Sequence, residues 1–442
     1  MLSVALLLAS AGDRCAALQR LSSPMMEITA AQSEKGVCRV TGIARPVPKS
    51  RIGFELRLPE IGWTGRYVQL GTGGFAGMIF PGALADEVAR GNVAAMSDSG
   101  HAADRMSAAW AAGNPDAVID YGYRSIKATS DAAHALIHAF YGRPARVRYF
   151  VGCSNGGRQA LMAAQRYPDD WDGILAGSPA NPWSEQFYRL AALQYRLSQP
   201  GLEKLSAKLP MIQQAALASC PAPAVRNGVA FDPRACRFAP ESAGLTSAEA
   251  EAVRAIMAAG YEPTSAAQTD GWARWIVGAE LGQAEFAEQA FRYLLQSNPD
   301  WMIRDFDAAA SRAAADRLAP ILDFAPDFRR FRAKGGKILS YFGWADALIA
   351  PRLALDFYRR ANASSDAYRL FMVPGMGHCQ GGAGAVNFGQ TPDTPGAAHD
   401  ADHDIRLALE GWVERGRRPE RLVASSADGK DQVALRPERS RS

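Results

Sequence analysis

The segment 147–166, VRYFVGCSNGGRQALMAAQR, constrains this chain more than any other. Its compact β-branched and aromatic run VRYFVG reads as a buried strand, and RQALMAAQRYP reads as a helix. Between them Gly152-Cys153-Ser154-Asn155-Gly156 fits G-x-S-x-G. In that setting the turn is so tight that only glycine suits the flanking positions, and the serine hydroxyl stands out above the sheet. The backbone N–H of Asn155 then points at an oxyanion as it develops. The five-residue pattern alone also occurs in plain turns. Its place between strand and helix makes Ser154 the candidate nucleophile.

The rest of the chain repeats the alternation. CRVTGIARPV and RIGFELRLP, between Cys38 and Leu70, read as short strands, followed by the Gly-rich turn Gly71–Gly77. GALADEVARGN reads as a helix, VAAMSDSG as a strand, and SIKATSDAAHALIHAFY as a helix. Strand–turn–helix units in alternation predict a mostly parallel sheet covered by helices. After Pro182 the chain becomes rich in Ala, Gln and Trp and helical in period, with one Cys-bounded loop, CPAPAVRNGVAFDPRAC. Strands resume at KILSYFG and YRLFMVPG, then an amphipathic helix, HDIRLALEGWVERG, and a polar tail. The 442 residues suggest three domains by length. The pattern instead predicts one α/β domain in two parts, 12–182 and 326–442, split by a mainly helical lid at 183–325.

Composition excludes several classes. The 49 Lys and Arg against 45 Asp and Glu leave a net charge of +4, too even and too scattered for a nucleic-acid footprint. MLSVALLLASAG is an apolar run of signal-peptide type, with Ala9-Ser10-Ala11 as a small-residue cleavage site, so residues 1–11 are read as a signal remnant. No stretch approaches the ~18 apolar residues of a membrane span. Six cysteines behind such a segment suit disulfides in an oxidising compartment, secreted or periplasmic. With no CxxC and no Cys/His cluster of zinc spacing, no metal site is expected. Of the pairings open to Cys15, Cys38, Cys153, Cys220, Cys236 and Cys379, two are local, Cys15 with Cys38 and Cys220 with Cys236. Cys153 and Cys379 are then left to each other.

A hydrolase triad built on this turn follows in the order Ser, acid, His. Of six histidines, only His378, in VPGMGHC, sits just beyond a late strand, and the preceding strand delivers Asp346 in KILSYFGWAD. Each is unremarkable alone, since a loop His is often a surface residue and an Asp after a strand is often a cap. Their order and strand-end positions carry the assignment. Cys153 adjoins Ser154 and Cys379 adjoins His378, so a bridge between the cysteines would hold base to nucleophile. For the second oxyanion donor the Gly71–Gly77 turn offers Gly74 or Gly73. It lacks a GK[ST] ending, so it is not read as a nucleotide loop.

These residues carry a resemblance. QLGTGGFAG, MSDSGH, the block from DYGYRSIKATSD through GCSNGGRQ to AGSPANPW, GWADALIAP and VPGMGHC resemble the tannase/feruloyl esterase family of secreted serine esterases, over about Cys38 to Glu420. The resemblance implies an α/β-hydrolase fold, Ser154, Asp346 and His378 as triad, a Cys153–Cys379 bridge, and a lid over the site. It also implies a small aromatic ester as substrate: a galloyl, feruloyl or other hydroxycinnamoyl ester, or a terephthaloyl monoester. Trp272, Trp275, Phe291 and Tyr293 of the lid are candidates to recognise the aromatic group, although aromatics at helical spacing also serve a core. In the family the Cys-bounded loop usually carries aspartates that bind a structural calcium. Here Asn227 and Asp232 alone remain as ligands, so no calcium and no cofactor are expected. The tail also ends without the usual Cys-containing segment, leaving open how the last sheet edge is covered. An esterase or amidase for unrelated acyl groups, or a non-catalytic secreted binding protein on the same scaffold, are the alternatives.

Overall fold

The computed structural model describes residues 10–263, 266–278, 282–361 and 367–439. Residues 1–9 of the apolar N-terminal run lie outside the described residues. The chain divides into two compact units, Met1–Ala176 with Phe328–Lys337, and Gly177–Asp327 with Ile338–Ser442.

The first unit is built on β1 (Met26–Glu34), β2 (Val37–Ala44), β3 (Ile52–Pro59), β4 (Arg66–Leu70), β5 (Val93–Ser97), β6 (Val147–Cys153) and β7 (Gly173–Gly177). They lie in the order β1-β2-β3-β5-β4-β6-β7. The pairings β1/β2, β2/β3 and β3/β5 are antiparallel, whereas β4 runs parallel to both β5 and β6. The entry to this sheet is therefore an antiparallel meander, and parallel pairing begins where helices first connect the strands. Two strands carry no clear sequence signal. In β1, MEITAAQSE, only Ile28 is buried, as suits an edge strand with little to hide. In β7, GILAG, every residue is buried, but five residues with glycine at each end are too short for a period. Cys15 and Cys38 are joined, fastening the N-terminal helix Ala11–Ala17 to β2.

The second unit begins with helices at Trp183–Leu197, Leu209–Ala218, Ser247–Ala258, Ala266–Trp275, Gly282–Ala290 and Ala308–Leu322, the helical insertion that the composition shift predicts. The first of these lacks a capping residue of its own. Asp323, about 140 positions on, replaces it by accepting the N–H groups of Trp183 at 2.6 Å and Ser184 at 3.0 Å. The Cys-bounded loop forms the minute hairpin of β8 (Val225–Arg226) and β9 (Val229–Ala230), closed by a Cys220–Cys236 bridge. After the insertion β10 (Lys337–Gly343) and β11 (Tyr368–Val373) pair in parallel.

The tail corrects the sequence reading. It is not a loose polar segment but a hairpin of β12 (Leu422–Ser425) and β13 (Gln432–Leu435), turning through Asp428-Gly429. Each strand is four residues long, which hides the alternation, yet Leu422, Ala424 and Leu435 are buried. The chain beyond it covers the edge of β11: Phe371 bridges to Pro437, and the Glu438 N–H donates to Leu370 O at 2.7 Å. Among the described residues no helix is long and apolar enough to cross a membrane.

Candidate active site

In the first unit, β6 runs straight into the helix Asn155–Arg166, and Ser154 sits at the junction with φ 62° and ψ −126°. A side-chain-bearing residue there costs on the order of 1–3 kcal/mol of backbone strain, so the surroundings must over-determine it. They do so through glycine contacts. A Cβ on Gly152 would lie 2.5 Å from the Gly156 carbonyl group, and one on Gly71 would lie 2.6 Å from Gly156 Cα. The elbow thus closes only with glycine at 152, and the Gly-rich turn packs against it only with glycine at 71. Gly152→Ala is expected to destabilise the protein by about 1–3 kcal/mol through overpacking. Denaturant unfolding measures this, and wild-type stability would mean the elbow has room to spare.

The turn 71–77 is held from several sides. Gly71 N–H donates to Val151 O at 2.9 Å, Thr72 N–H to Gln159 Oε1 at 2.9 Å, and Phe75 N–H to Arg105 O at 2.9 Å. Ala76 N–H donates to Gly73 O at 3.1 Å and Gly77 N–H to Ala103 O at 3.0 Å. Among the described residues the amides of Gly73 and Gly74 take no part in this scheme, and Asn155 opens its helix. The Asn155 side chain ties the two pieces together, donating to Thr72 O at 3.1 Å while accepting from Arg158 Nε at 2.8 Å. Arg158 is completely buried and also donates to Gly122 O and Tyr121 O, and Tyr121 in turn donates to Gly74 O at 2.8 Å. Sequence reasoning missed Arg158, Tyr121 and Gln159. The one signal available was the polar pair Arg158-Gln159 directly before the apolar run ALMAA.

His101 of MSDSGH buttresses the same turn. Its Nε2 lies 2.8 Å from Phe75 O, and its ring stacks on Trp110 at 3.8 Å. A carbonyl partner requires Nε2 to carry the proton. Burial pulls the imidazole down to about 4, so it stays neutral here while the unfolded chain's His takes a proton below about pH 6.5. The unfolded state then binds more protons between about pH 4 and 6.5, and His101 adds stability as pH rises through that window. Nearby Asp98 does the reverse. Burial pushes it up to about 7 despite N–H donation from Gly100 and Gly53, so its stabilisation is present at low pH and lost as pH rises through the range up to about 7. The stability of the wild type relative to His101→Gln is expected to rise from pH 4 to 6.5 and level off above it. Paired urea titrations across that range measure the gap, and a constant gap would refute the assignment.

In the second unit, Asp346 follows β10 and His378 follows β11. Gly343 ends β10 where a Cβ would lie 2.2 Å from Met376 O, so the two loops approach backbone to backbone. Trp344 N–H donates to Val373 O at 3.0 Å and Ala345 N–H to Met376 O at 2.9 Å. The loop then turns back on itself, with Gly377 N–H donating to Gly381 O at 2.9 Å and Gly375 in the left-handed region at φ 70°. His378 Nδ1 lies 2.7 Å from Asp346 Oδ2, and Asp346 Oδ1 accepts the N–H groups of Leu348 and Ile349, each at 2.9 Å. A carboxylate partner makes Nδ1 the protonated nitrogen and leaves Nε2 free to accept. A second His–Asp contact, His403 with Asp400 at 2.8 Å, differs in burial: the Asp400 side chain is 54% exposed and that of Asp346 is 0% exposed. The histidines are almost equally exposed, so it is the Asp346 carboxylate that is shielded from water.

The lid aromatics divide. Trp272 is buried in the insertion's own core with Leu193, Ile256 and Tyr261, and Phe291 is buried in a stack on Trp301 at 4.4 Å. Their helical spacing serves helix packing, the other use open to aromatics at that spacing. Trp275 and Tyr293 are half-buried. A cavity of about 230 Å³ within the insertion is lined chiefly by Leu197, Leu202, Leu205, Ile276, Val277 and Ile303, not by these aromatics. As for calcium, Asp232 gives both its oxygens to the Arg234 guanidinium, and Asn227 donates to Asp431 at 3.1 Å. Arg234 is itself clasped by Glu438. A guanidinium fills the place where a cation would need free carboxylate oxygens, so these residues do not fit calcium.

The pattern common to tannases and feruloyl esterases matches residues 38–260 and 254–441, almost the whole chain. This protein belongs to the tannase and feruloyl esterase family. An uncharacterized esterase of Xanthomonas campestris pv. campestris is 36% identical over 94% of this chain and 85% of its own length. A probable feruloyl esterase B-2 of Aspergillus flavus is 30% identical over 92% of this chain and 84% of its own. Feruloyl esterase B from Aspergillus oryzae has the same fold, with a TM-score of 0.86 over 97% of this chain and 96% of its own at 22% identity. The family member described here is accordingly an esterase with an α/β-hydrolase fold and a large helical insertion.

Proposed function

We propose that this esterase is a serine hydrolase of aromatic-acid esters, with Ser154 as nucleophile, His378 as its base and Asp346 as the acid that orients the base. The observation that carries the reading is the fully buried Asp346 carboxylate, set by two backbone amides and bonded to His378 Nδ1. His378 Nε2 takes the proton as Ser154 Oγ forms a bond to the ester carbonyl carbon. The amides of Asn155 and of Gly73 or Gly74 bind the oxyanion, each such donor being worth ~2.7–4 kcal/mol in the transition state. Collapse returns the proton to the departing alcohol, and water repeats the sequence to free the acid and Ser154. Cys153 and Cys379, neighbours of nucleophile and base, form the third bridge in this reading, which suits a secreted or periplasmic enzyme. Trp275 and Tyr293 are the lid aromatics left to meet an aromatic acyl group.

A panel of methyl ferulate, methyl gallate and mono(2-hydroxyethyl) terephthalate tests the substrate class. Cleavage of at least one is expected, far above the rate of 4-nitrophenyl acetate relative to each ester's own uncatalysed hydrolysis. Equal enhancement of the acetate alone would turn the reading toward an esterase for unrelated acyl groups. Peptide mapping without reduction is expected to recover Cys153 and Cys379 in one linked species. Free thiols at both positions in fully active enzyme would remove the bridge from the account.

A further inference from the structure

The two peptide groups that hold Asp346 are themselves held at their opposite ends, and by the insertion. The Ala347–Leu348 peptide donates its N–H to Asp346 Oδ1 at 2.9 Å, while its carbonyl, Ala347 O, accepts from Gln283 Nε2 at 2.6 Å. The Leu348–Ile349 peptide donates its N–H to the same oxygen at 2.9 Å, while Leu348 O accepts from the Tyr261 hydroxyl at 3.1 Å. Gln283 is fixed in turn by Gln194, whose Nε2 donates to Gln283 Oε1 at 3.2 Å and to Ile276 O at 3.0 Å. Gln283 is fully buried, and Tyr261 and Gln194 nearly so. Burial and the nearby Asp346 carboxylate push the Tyr261 phenol up, so it remains a donor.

We infer that Gln283 and Tyr261 are positioning residues for catalysis: they clamp the acid loop so that its two amides fix Asp346, and through it the His378 ring. This rests on the role proposed for the Asp346–His378 pair. A peptide whose carbonyl is bonded has a more polarised N–H, and consecutive bonds in a buried chain reinforce one another. The clamp therefore acts on both the loop and its bonds: it stops the loop from rotating and strengthens the two hydrogen bonds that Asp346 accepts. It also gives the helical insertion a task in the chemistry. The insertion builds the acid's seat from residues 63 and 85 positions upstream of Asp346, where no local motif reaches.

The test compares Tyr261→Phe, which removes one oxygen, Gln283→Met, which keeps the side-chain length, and Asp346→Asn, with 4-nitrophenyl acetate as probe ester. Displacing a catalytic group slightly costs rate, not ground-state binding. Each of the first two is expected to lower kcat about tenfold with KM within about twofold, well below the melting temperature. Each is also expected to move the far-downfield proton NMR signal of the His378 Nδ1–H. A wild-type kcat in both, or a kcat loss with that signal unmoved, would overturn the clamp while leaving the pair's role intact. An Asp346→Asn enzyme of undiminished kcat would overturn the role and the clamp together. If either Tyr261→Phe or Gln283→Met fails to fold, the other decides.

Discussion

Ser154→Ala is expected to lower kcat by roughly 10⁵–10⁶-fold on every ester the enzyme cleaves, leaving KM little changed, because members of a triad act as a unit. The size follows from what the hydroxyl does. In the role proposed for it, no acyl-enzyme forms without the hydroxyl, and His378 can only assist water. The residual rate would reflect oxyanion stabilisation and binding alone. The substitution is also expected to leave the fold intact or slightly tighter. Ser154 sits at φ 62°, and neither serine nor alanine is favoured there, so the strain persists in both. Initial-rate kinetics with thermal unfolding as control decide the matter. An alanine enzyme within tenfold of wild type would exclude Ser154 as nucleophile.

Asp346→Asn is expected to lower kcat by about 10⁴-fold, the size of loss that follows when a triad base is held in the wrong tautomer. The hydrogen bonds dictate that outcome. Oδ1 accepts from the amides of Leu348 and Ile349, and an NH2 group facing two N–H donors would leave three donors without acceptors in a buried site. The asparagine must therefore point its oxygen at those amides and its NH2 at His378. Nδ1 then has to accept, the proton moves to Nε2, and the imidazole cannot take the serine proton. The effect should be on kcat far more than on KM, and the variant should fold, because its geometry is nearly isosteric. Only a rate close to wild type would separate Asp346 from catalysis.

The contrast between the serine turn and the loops of Asp346 and His378 explains how far the sequence could be read. Ser154 and its flanking glycines were legible because an elbow is local: five consecutive residues, a strand before and a helix after. The Gly-rich turn 71–77 was legible as a turn for the same reason. Asp346 and His378 could be placed only by order along the chain, since nothing in GWAD or in GMGH differs from an ordinary loop. The lid aromatics stayed open to two readings in the sequence. Trp272 and Phe291 repeat at helical spacing, and helix packing uses that spacing as readily as a ligand would. The tail hairpin was missed because four-residue strands are shorter than the window in which alternation shows.

Local pattern thus carried the α/β class, the serine turn, the Gly-rich turn and the presence of a helical insertion. Each of these depends on residues within a turn or two of one another, where backbone sterics and hydrophobic period act directly. Tertiary structure decided the rest. It brought Asp346 against His378 across 32 residues and buried that carboxylate completely. It joined Arg158 to the carbonyls of Gly122 and Tyr121 and set Gln283 and Tyr261 behind the acid loop. Those contacts are between polar groups distant in sequence, and their strength comes from the dry interior that only the packed chain creates. A glutamine in an alanine-rich helix carries no mark of that use until the fold puts a carbonyl in front of it.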